Sequence, residues 1–408
     1  MQDDNNSSTL RDLLSSDNKD DDALLEWGDK DIDVKAMNLE ETSAKFEAKH
    51  TWMCGGIVLK LEDPEAKDNV ELFKTVWKRS QPVIVGKVME RMNSDLWQTK
   101  VLAEIPDHNY DPSVPESSAI THGQTIKKFF EGYETSSEKK SSGDDPLFLR
   151  FRENWPSQED HFAELLPNQY KDMMAHLPLS DYTTREGVLN LASRLPDCFV
   201  RLDLGPRLWG GYSKSSYNLQ YNVSDAVHVM VNMVNKTDNK DMITEVLKTT
   251  GCDEKTQALA EKDSSKLGAV WHVFHPNDAE KIKDFVNKNI KDPKKKPRDP
   301  LWIGTMYLRE KHLEKLKLEH GITPWTFVQQ QGEAVIVPSG APYQVKILNN
   351  SLYVQSEFVS PEHMKDSMKL SFSDVLNDDR LQVKNVVFHA CKDALSVLEN
   401  PKDSLSEK

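Results

Sequence analysis

The stretch Tyr217–Val234, YNLQYNVSDAVHVMVNMV, is the longest run in this chain with the alternation of a β-strand. Read with a period of two, Gln220, Asn222, Ser224, Ala226, His228, Met230 and Asn232 fall on one face. Val223, Val227, Val229, Val231 and Met233 fall on the other. One side is apolar and the other mostly polar. This predicts one long strand with its apolar face in a core and its polar face lining a cavity or meeting solvent. The pattern attaches no chemistry to that face.

The flanking sequence supplies what such a strand would pair with. GIVLKL (Gly56–Leu61), PVIVGKV (Pro82–Val88) and LFLRFRENWP (Leu147–Pro156) read as strands ahead of it, and GAVWHVF (Gly268–Phe274) as one after it. Four short strands follow: WTFVQQ (Trp325–Gln330), EAVIVP (Glu333–Pro338), YQVKIL (Tyr343–Leu348) and LYVQSEFV (Leu352–Val359), punctuated by Gly332, PSGAP and Asn349–Asn350. Helical patterns cover Val70–Lys78, Asn93–Ile105, Thr125–Glu131, Phe162–Leu177, Asp241–Thr250, Glu254–Lys262, Asp278–Ile290, Tyr307–His320 and Leu381–Leu398, with Gly321 placed to cap the eighth. Short strands with tight turns and helical decoration predict a mainly β fold, a sandwich or barrel. The chain divides into an acidic tail (1–50), an N-terminal flanking portion (51–160), a β-rich core with helical insertions (161–380) and a C-terminal helix and tail (381–408).

Charge is uneven. Residues 1 to 34 hold eleven Asp or Glu against three Lys or Arg, so −8 of the net −14 lies there. The tail reads as solvated, with a short docking element conceivable at Asp21–Trp27. An acidic balance disfavours sequence-specific nucleic-acid binding by the whole chain. One basic run opposes it: Lys281–Arg298 has eight Lys or Arg and two acids, and Lys294, Lys295, Lys296 and Arg298 match a short nuclear-import pattern as well as a solvated loop. No apolar run approaches the ~20 residues of a membrane helix, and the polar N-terminus is no secretory leader. Cys54, Cys198, Cys252 and Cys391 lie far apart, which favours free thiols in a reducing compartment over a disulfide framework or a local zinc motif.

Motifs for nucleotide hydrolysis, dinucleotide binding, zinc proteolysis and serine hydrolysis are missing. A non-haem iron site needs two His and a carboxylate on one side of the metal, and a strand delivers the first pair as His-x-Asp or His-x-Glu. The single His-x-acid here is His312-Leu313-Glu314, in a helical stretch, where positions i and i+2 diverge by about 200°. His272 and His275 are three apart on a strand and face opposite ways. His161, His363 and His389 sit in helical contexts.

The chain nevertheless resembles a known family over residues 55 to 400. VWKRSQPVIV, NSDLW, WPSQEDHF, LPLSDYT, LNLASRLPDCFVRLDLGPRL, NLQYNVSDAVHVMV, GAVWHVF, HGITPW, GEAVIVPSGAPYQV, EFVSPEHMK and LQVKNVVFHACKDAL are similar to segments of the JmjC proteins, in particular the histone demethylases acting on methylated lysine nine of histone H3. The resemblance implies a double-stranded β-helix, or jelly roll, with flanking helices over 161–380. It also implies Fe(II) and 2-oxoglutarate, with hydroxylation of an N-methyl group that collapses to formaldehyde and free lysine. A zinc-finger region precedes the domain in longer members and does not occur in this sequence.

The same resemblance places the metal ligands on the opening stretch, as His-x-Asp, and in a GAPHQV turn. Here Gln220 stands for the first His, Asn222 for the Asp and Tyr343 for the last His. Neutral amides and a phenol replace two imidazoles and an anion, a poor donor set for Fe(II). We therefore expect no cofactor, no catalytic residue and no metal ligand. His228 is a candidate for a substitute role, but eight residues beyond Gln220 on one strand is about 26 Å. Lys236 is a candidate for the cosubstrate carboxylate. The expected function is a catalytically inactive JmjC protein acting in the nucleus as a chromatin regulator, through contacts with the histone H3 tail or chromatin-associated proteins. The alternatives are an active Fe(II)/2-oxoglutarate demethylase with a rearranged site, and a module that reads methyl-lysine without altering it.

Overall fold

Strand β6 (Asp225–Val234) runs through the middle of a seven-stranded sheet of order β1-β2-β3-β9-β6-β11-β4. The other members are β1 (His50–Met53), β2 (Val58–Leu61), β3 (Val83–Val85), β4 (Arg207–Gly211), β9 (Ala334–Val337) and β11 (Asn350–Phe358). A second sheet of order β5-β10-β7-β8 contains β5 (Ser216–Gln220), β7 (Leu267–Val273), β8 (Trp325–Gln330) and β10 (Tyr343–Ile347). Strands β4 to β11 thus divide between two four-strand layers, β4-β11-β6-β9 and β5-β10-β7-β8, crossing at every step but β7 to β8. This is the double-stranded β-helix, extended at one edge by β1–β3. The computed structural model describes residues 35–107, 119–134, 150–152, 155–156, 162–200, 202–235, 239–290, 299–372 and 381–399. Met1–Lys35 separates as a unit of its own, of which only Lys35 is described. The acidic docking element, the 135–145 loop, His161, Lys236 and the import candidate Lys294, Lys295, Lys296 and Arg298 lie outside the described residues.

The long strand expected over Tyr217–Val234 is two strands in two sheets. The chain leaves β5 after Gln220 and starts β6 at Asp225. Residues 221–224 turn because their groups are taken elsewhere: the Tyr221 hydroxyl donates to Asp299 at 2.8 Å, and Ser224 donates to the half-buried Glu357 carboxylate. Asp225 then pins the start of β6. Its carboxylate accepts the Ser339 and Ser360 backbone N–H groups, both at 2.9 Å, and lies 2.6 Å from His363 Nδ1. His363 Nε2 meets the Trp77 carbonyl at 2.8 Å. Both ring nitrogens thus face acceptors, which only an imidazolium satisfies. Burial opposes that charge, but the Asp225 carboxylate outweighs it and raises the His363 pKa.

Alternation survives within β6, yet both faces are buried. Val227, Val229 and Val231 face a layer of helices, where they meet Leu72, Phe73 and Trp77 of α1 (Asn69–Trp77), Phe129 and Tyr133 of α2 (Ile126–Tyr133) and Met173 of α3 (Pro167–His176) in one core. Helix α2 shows why such segments form. Thr125 caps its first turn by accepting the Lys128 N–H, and Ile126, Phe129, Phe130 and Tyr133 stack one buried stripe. The opposite face of β6 turns into the space between the sheets. There Met230 joins Trp209, Val335 and Tyr353 against Tyr217, Trp271, Phe327 and Tyr343 of the second sheet. The outer side of the second sheet is covered by α4 (Lys240–Thr249) and α5 (Glu254–Asp263), and by α6 (Ala279–Asn289) and α7 (Glu310–His320). Gly321, at φ 69°, closes α7 as expected.

Other differences are local. The helix expected at Asn93–Ile105 is a 3-10 turn (Ser94–Trp97) and a short helix (Thr99–Leu102), and Phe162–Leu177 breaks at Leu166 ahead of Pro167. Ordered chain begins before residue 51, with helix Glu40–Ser43 and Met37 tied to the Gln81 side chain at 2.9 Å. Helices α8 (Met364–Ser371) and α9 (Val383–Glu399) follow β11. None of the four cysteines is in a disulfide. No helix among the described residues is long and apolar enough to cross a membrane.

Candidate functional site

Gln220 ends β5, and Tyr343 begins β10 directly opposite it in an antiparallel pair whose register shifts before Val345. The Gln220 amide donates to the Tyr343 hydroxyl at 3.5 Å, a long bond. Asn222 follows two residues later. Its backbone carbonyl accepts the Gly340 N–H at 2.9 Å, which ties it to the turn that carries Tyr343. Gly340 has φ 72°, a conformation that side chains disfavour. The three positions singled out from the sequence therefore sit together, at one mouth of the space between the sheets.

They line a cavity of about 40 Å³ with Tyr217 of β5, Arg207 and Trp209 of β4 and Gln355 of β11. Both sheets contribute to it. Arg207 is held by Asp203 at 2.6 Å. The Tyr217 hydroxyl is fixed by the backbone, accepting the Gly210 N–H at 2.8 Å and lying 3.0 Å from the Phe151 carbonyl, to which it can donate. Gln355 donates to Glu357 at 3.3 Å, and desolvation raises the pKa of that carboxyl. Four buried polar atoms at or beside the cavity have no hydrogen-bond partner among the described residues: Trp209 Nε1, Asn222 Nδ2 and both nitrogens of His228.

His228 lies in a different sheet from Gln220. On one continuous strand it would lie about 26 Å from Gln220. Because the strand is two strands in facing sheets, its ring centroid is 5.6 Å from that of Tyr343, 5.4 Å from Trp209 and 5.0 Å from Trp271. It is completely buried, and burial pushes its pKa down to about 3, so the imidazole is neutral. Period-two counting could not find this contact, since it arises from the turn at 221–224. The other described histidines that the sequence singled out stand apart from the site. His312 and Glu314 lie in α7, His272 is buried in β7, His275 caps the following turn, His363 holds Asp225 and His389 packs on Phe199.

A double-stranded β-helix with three clustered positions at its mouth defines the class, and comparison with known proteins specifies it. The sequence pattern of the JmjC domain, a hydroxylase family, matches residues 263–358. The chain is 35% identical over 395 residues to lysine-specific demethylase 3A of Gallus gallus, covering 91% of this chain and 30% of that protein. It is 34% identical over 377 residues to lysine-specific demethylase 3 of Drosophila melanogaster, covering 87% of this chain and 44% of the relative. A probable JmjC domain-containing histone demethylation protein 2C of Homo sapiens is 34% identical over 396 residues, 90% of this chain and 15% of the relative. This chain is a JmjC-domain protein, homologous to the histone lysine demethylases. It spans about 30% of the length of the 3A proteins it matches.

This membership overturns the expectation of no cofactor. The family is one of hydroxylases, for which Fe(II) and 2-oxoglutarate are the groups the site has to be tested against. The test divides them. Gln220, Asn222 and Tyr343 offer no imidazole and no carboxylate, and among the described residues no group of three or more His, Cys, Asp or Glu is placed to hold a metal. These three side chains do not fit Fe(II). The cavity does present Arg207 and several N–H donors, which fit a carboxylate.

Proposed function

We propose that this chain is a catalytically degenerate member of the JmjC demethylase family, which acts on chromatin through protein contacts instead of turnover. One observation carries the reading: the three clustered positions hold two amides and a phenol, and two of these bond to each other across β5 and β10. Histones are the partner class that the name of the 2C relative points to, the H3 tail is the one the sequence resemblance implies, and the nucleus is the compartment that follows. The basic run ending at Arg298 supplies an import signal on this reading. The test is formaldehyde release from methylated H3 peptide with Fe(II) and 2-oxoglutarate, for the chain as it is and for the triple variant Gln220→His, Asn222→Asp, Tyr343→His. Turnover only after restoration is the expected result, and turnover by the unaltered chain overturns the reading.

A second reading, an active demethylase with a rearranged site, has its own support in His228. A neutral imidazole with both nitrogens unpartnered, beside Tyr343, is a competent donor. On this reading the unaltered chain turns over and His228→Ala abolishes it.

A further inference from the structure

We propose that the outer face of α8 and α9 is a docking surface for an acidic amphipathic segment of a partner protein. The inner face of α9 is settled by its contacts. Val383 and Val386 pack with Met364 of α8 and with Leu202 and Leu204. The His389 ring meets Phe199 at 5.5 Å, and Asp393 faces Arg194 at 3.9 Å. Phe388, Cys391, Leu395 and Leu398 then fall on the opposite side of the helix, and all are exposed. Their spacing of three, four and three residues makes one ridge, of the kind that seats against another amphipathic segment. The ridge is most open at its end, where Leu395 is 58% and Leu398 77% exposed. Phe372 extends it at the other end. This residue caps the C-terminus of α8, and Lys384 Nζ lies 5.2 Å from its ring centroid.

Charge names the occupant. The chain carries a net −14, yet this face is basic. Lys369, Lys384 and Lys392 are all exposed. Lys369 stands one turn before Phe372, Lys384 reaches over that ring, and Lys392 lies between Phe388 and Leu395. Of the carboxylate side chains described on α8 and α9, Asp393 turns inward to Arg194, which leaves Asp366 against the three lysines. Apolar anchors flanked by lysines complement Leu or Phe at helical spacing with Asp or Glu beside them. A nucleic-acid backbone answers the lysines but gives the apolar ridge no counterpart. An anionic membrane answers both, but Phe388 is only 37% exposed and Phe372 lies under a lysine, so the rings are set to receive side chains and not to insert into lipid. A second copy would bring lysines against lysines, and the ridge alone falls short of the roughly 800 Å² per partner of a stable dimer. The face shares no residue with the cavity at Gln220 and Tyr343, so the proposal stands whether or not the chain turns over a substrate.

The test is fluorescence anisotropy of a labelled probe titrated with the full chain at constant ionic strength. The probe is a blocked peptide of Glu and Leu with its leucines at helical spacing. The comparisons are an isomer with the leucines scattered, a peptide with Lys in place of Glu, phosphatidylserine vesicles and a DNA duplex. Saturable binding of the amphipathic Glu peptide in preference to all four is expected. The double variant Leu395→Ser, Leu398→Ser removes the ridge, and Lys384→Glu, Lys392→Glu reverses its charge; each is expected to weaken the probe by about tenfold or more. All four side chains are exposed, so the denaturation midpoint should hold in both variants. Leu318→Ser, at an exposed leucine of α7, should leave binding unchanged. No saturable binding, equal binding of the scattered or Lys peptide, preference for vesicles or duplex, undiminished binding by both double variants, or an equal loss from Leu318→Ser overturns the proposal. So does self-association in sedimentation that Leu395→Ser, Leu398→Ser abolishes, which assigns the face to a second copy. The demethylation assay of the previous section reads the cavity and is unaffected by any of these results.

Discussion

Two polar clusters, one buried and one half-buried, lie at opposite ends of the Tyr221–Ser224 turn, and they are built on opposite principles. The one around Asp225 is closed. Its carboxylate takes two backbone N–H groups and an imidazolium, and that imidazolium reaches on to the Trp77 carbonyl. The one around Gln220 is open. Gln220 and Tyr343 share a long bond, and atoms on Trp209, Asn222 and His228 are without a hydrogen-bond partner among the described residues. Buried polar groups that satisfy one another hold a fold together, whereas buried groups left unsatisfied mark a place built for something else. The same short segment of chain serves both ends.

The comparison predicts unequal sensitivity to substitution. The largest effect is expected from His363→Ala, which leaves Asp225 as an uncompensated buried charge and should remove about 3–5 kcal/mol of stability. A denaturant midpoint that barely moves would show that the closed cluster is not what pins β6. Next, His228→Leu removes two unpartnered nitrogens from an aromatic surround and should stabilise the fold by about 1 kcal/mol. A loss of stability in the same measurement would mean that the imidazole has a partner after all.

The pH dependence should separate the clusters in the same way. The His363 pKa is raised in the fold, so its contribution is fully present below the unfolded value of about 6.5 and is lost as pH rises through the folded value. Stability measured upward from pH 6 should therefore fall in the parent relative to His363→Gln, and parallel curves would contradict the assignment. The smallest effect is expected from Tyr343→Phe. It removes the hydroxyl that accepts the long Gln220 bond and keeps the ring that stacks near Trp271, 5.7 Å between centroids, so its midpoint should shift by less than about 1 kcal/mol. A larger loss would move Tyr343 from the open cluster to the closed one.

Much of this was legible in the sequence because it is local. Four strand-and-turn units between Trp325 and Val359 announce themselves through alternation and through Gly332, the PSGAP turn and Asn349–Asn350. Helices such as α2 and α7 do so through their buried stripes and their Thr125 and Gly321 caps. The departures at positions 220, 222 and 343 were readable only against the family pattern. What could not be read was long-range. Period-two alternation runs unbroken through Tyr221–Ser224, because the reasons for turning there lie at Asp299, Glu357, Ser339 and His363, between 78 and 138 residues away in the chain. Missing that turn misplaced His228 by a whole sheet and hid its approach to Tyr343.

The strand pair that presents Gln220 and Tyr343 is set by backbone bonds, and the two side chains share one long bond of 3.5 Å. The backbone pairing that displays them does not depend on which side chains they carry. A lineage can retire this chemistry, or reinstate it, with a few codon changes. A partner that recognises only the outside of the barrel would go on meeting the same surface throughout.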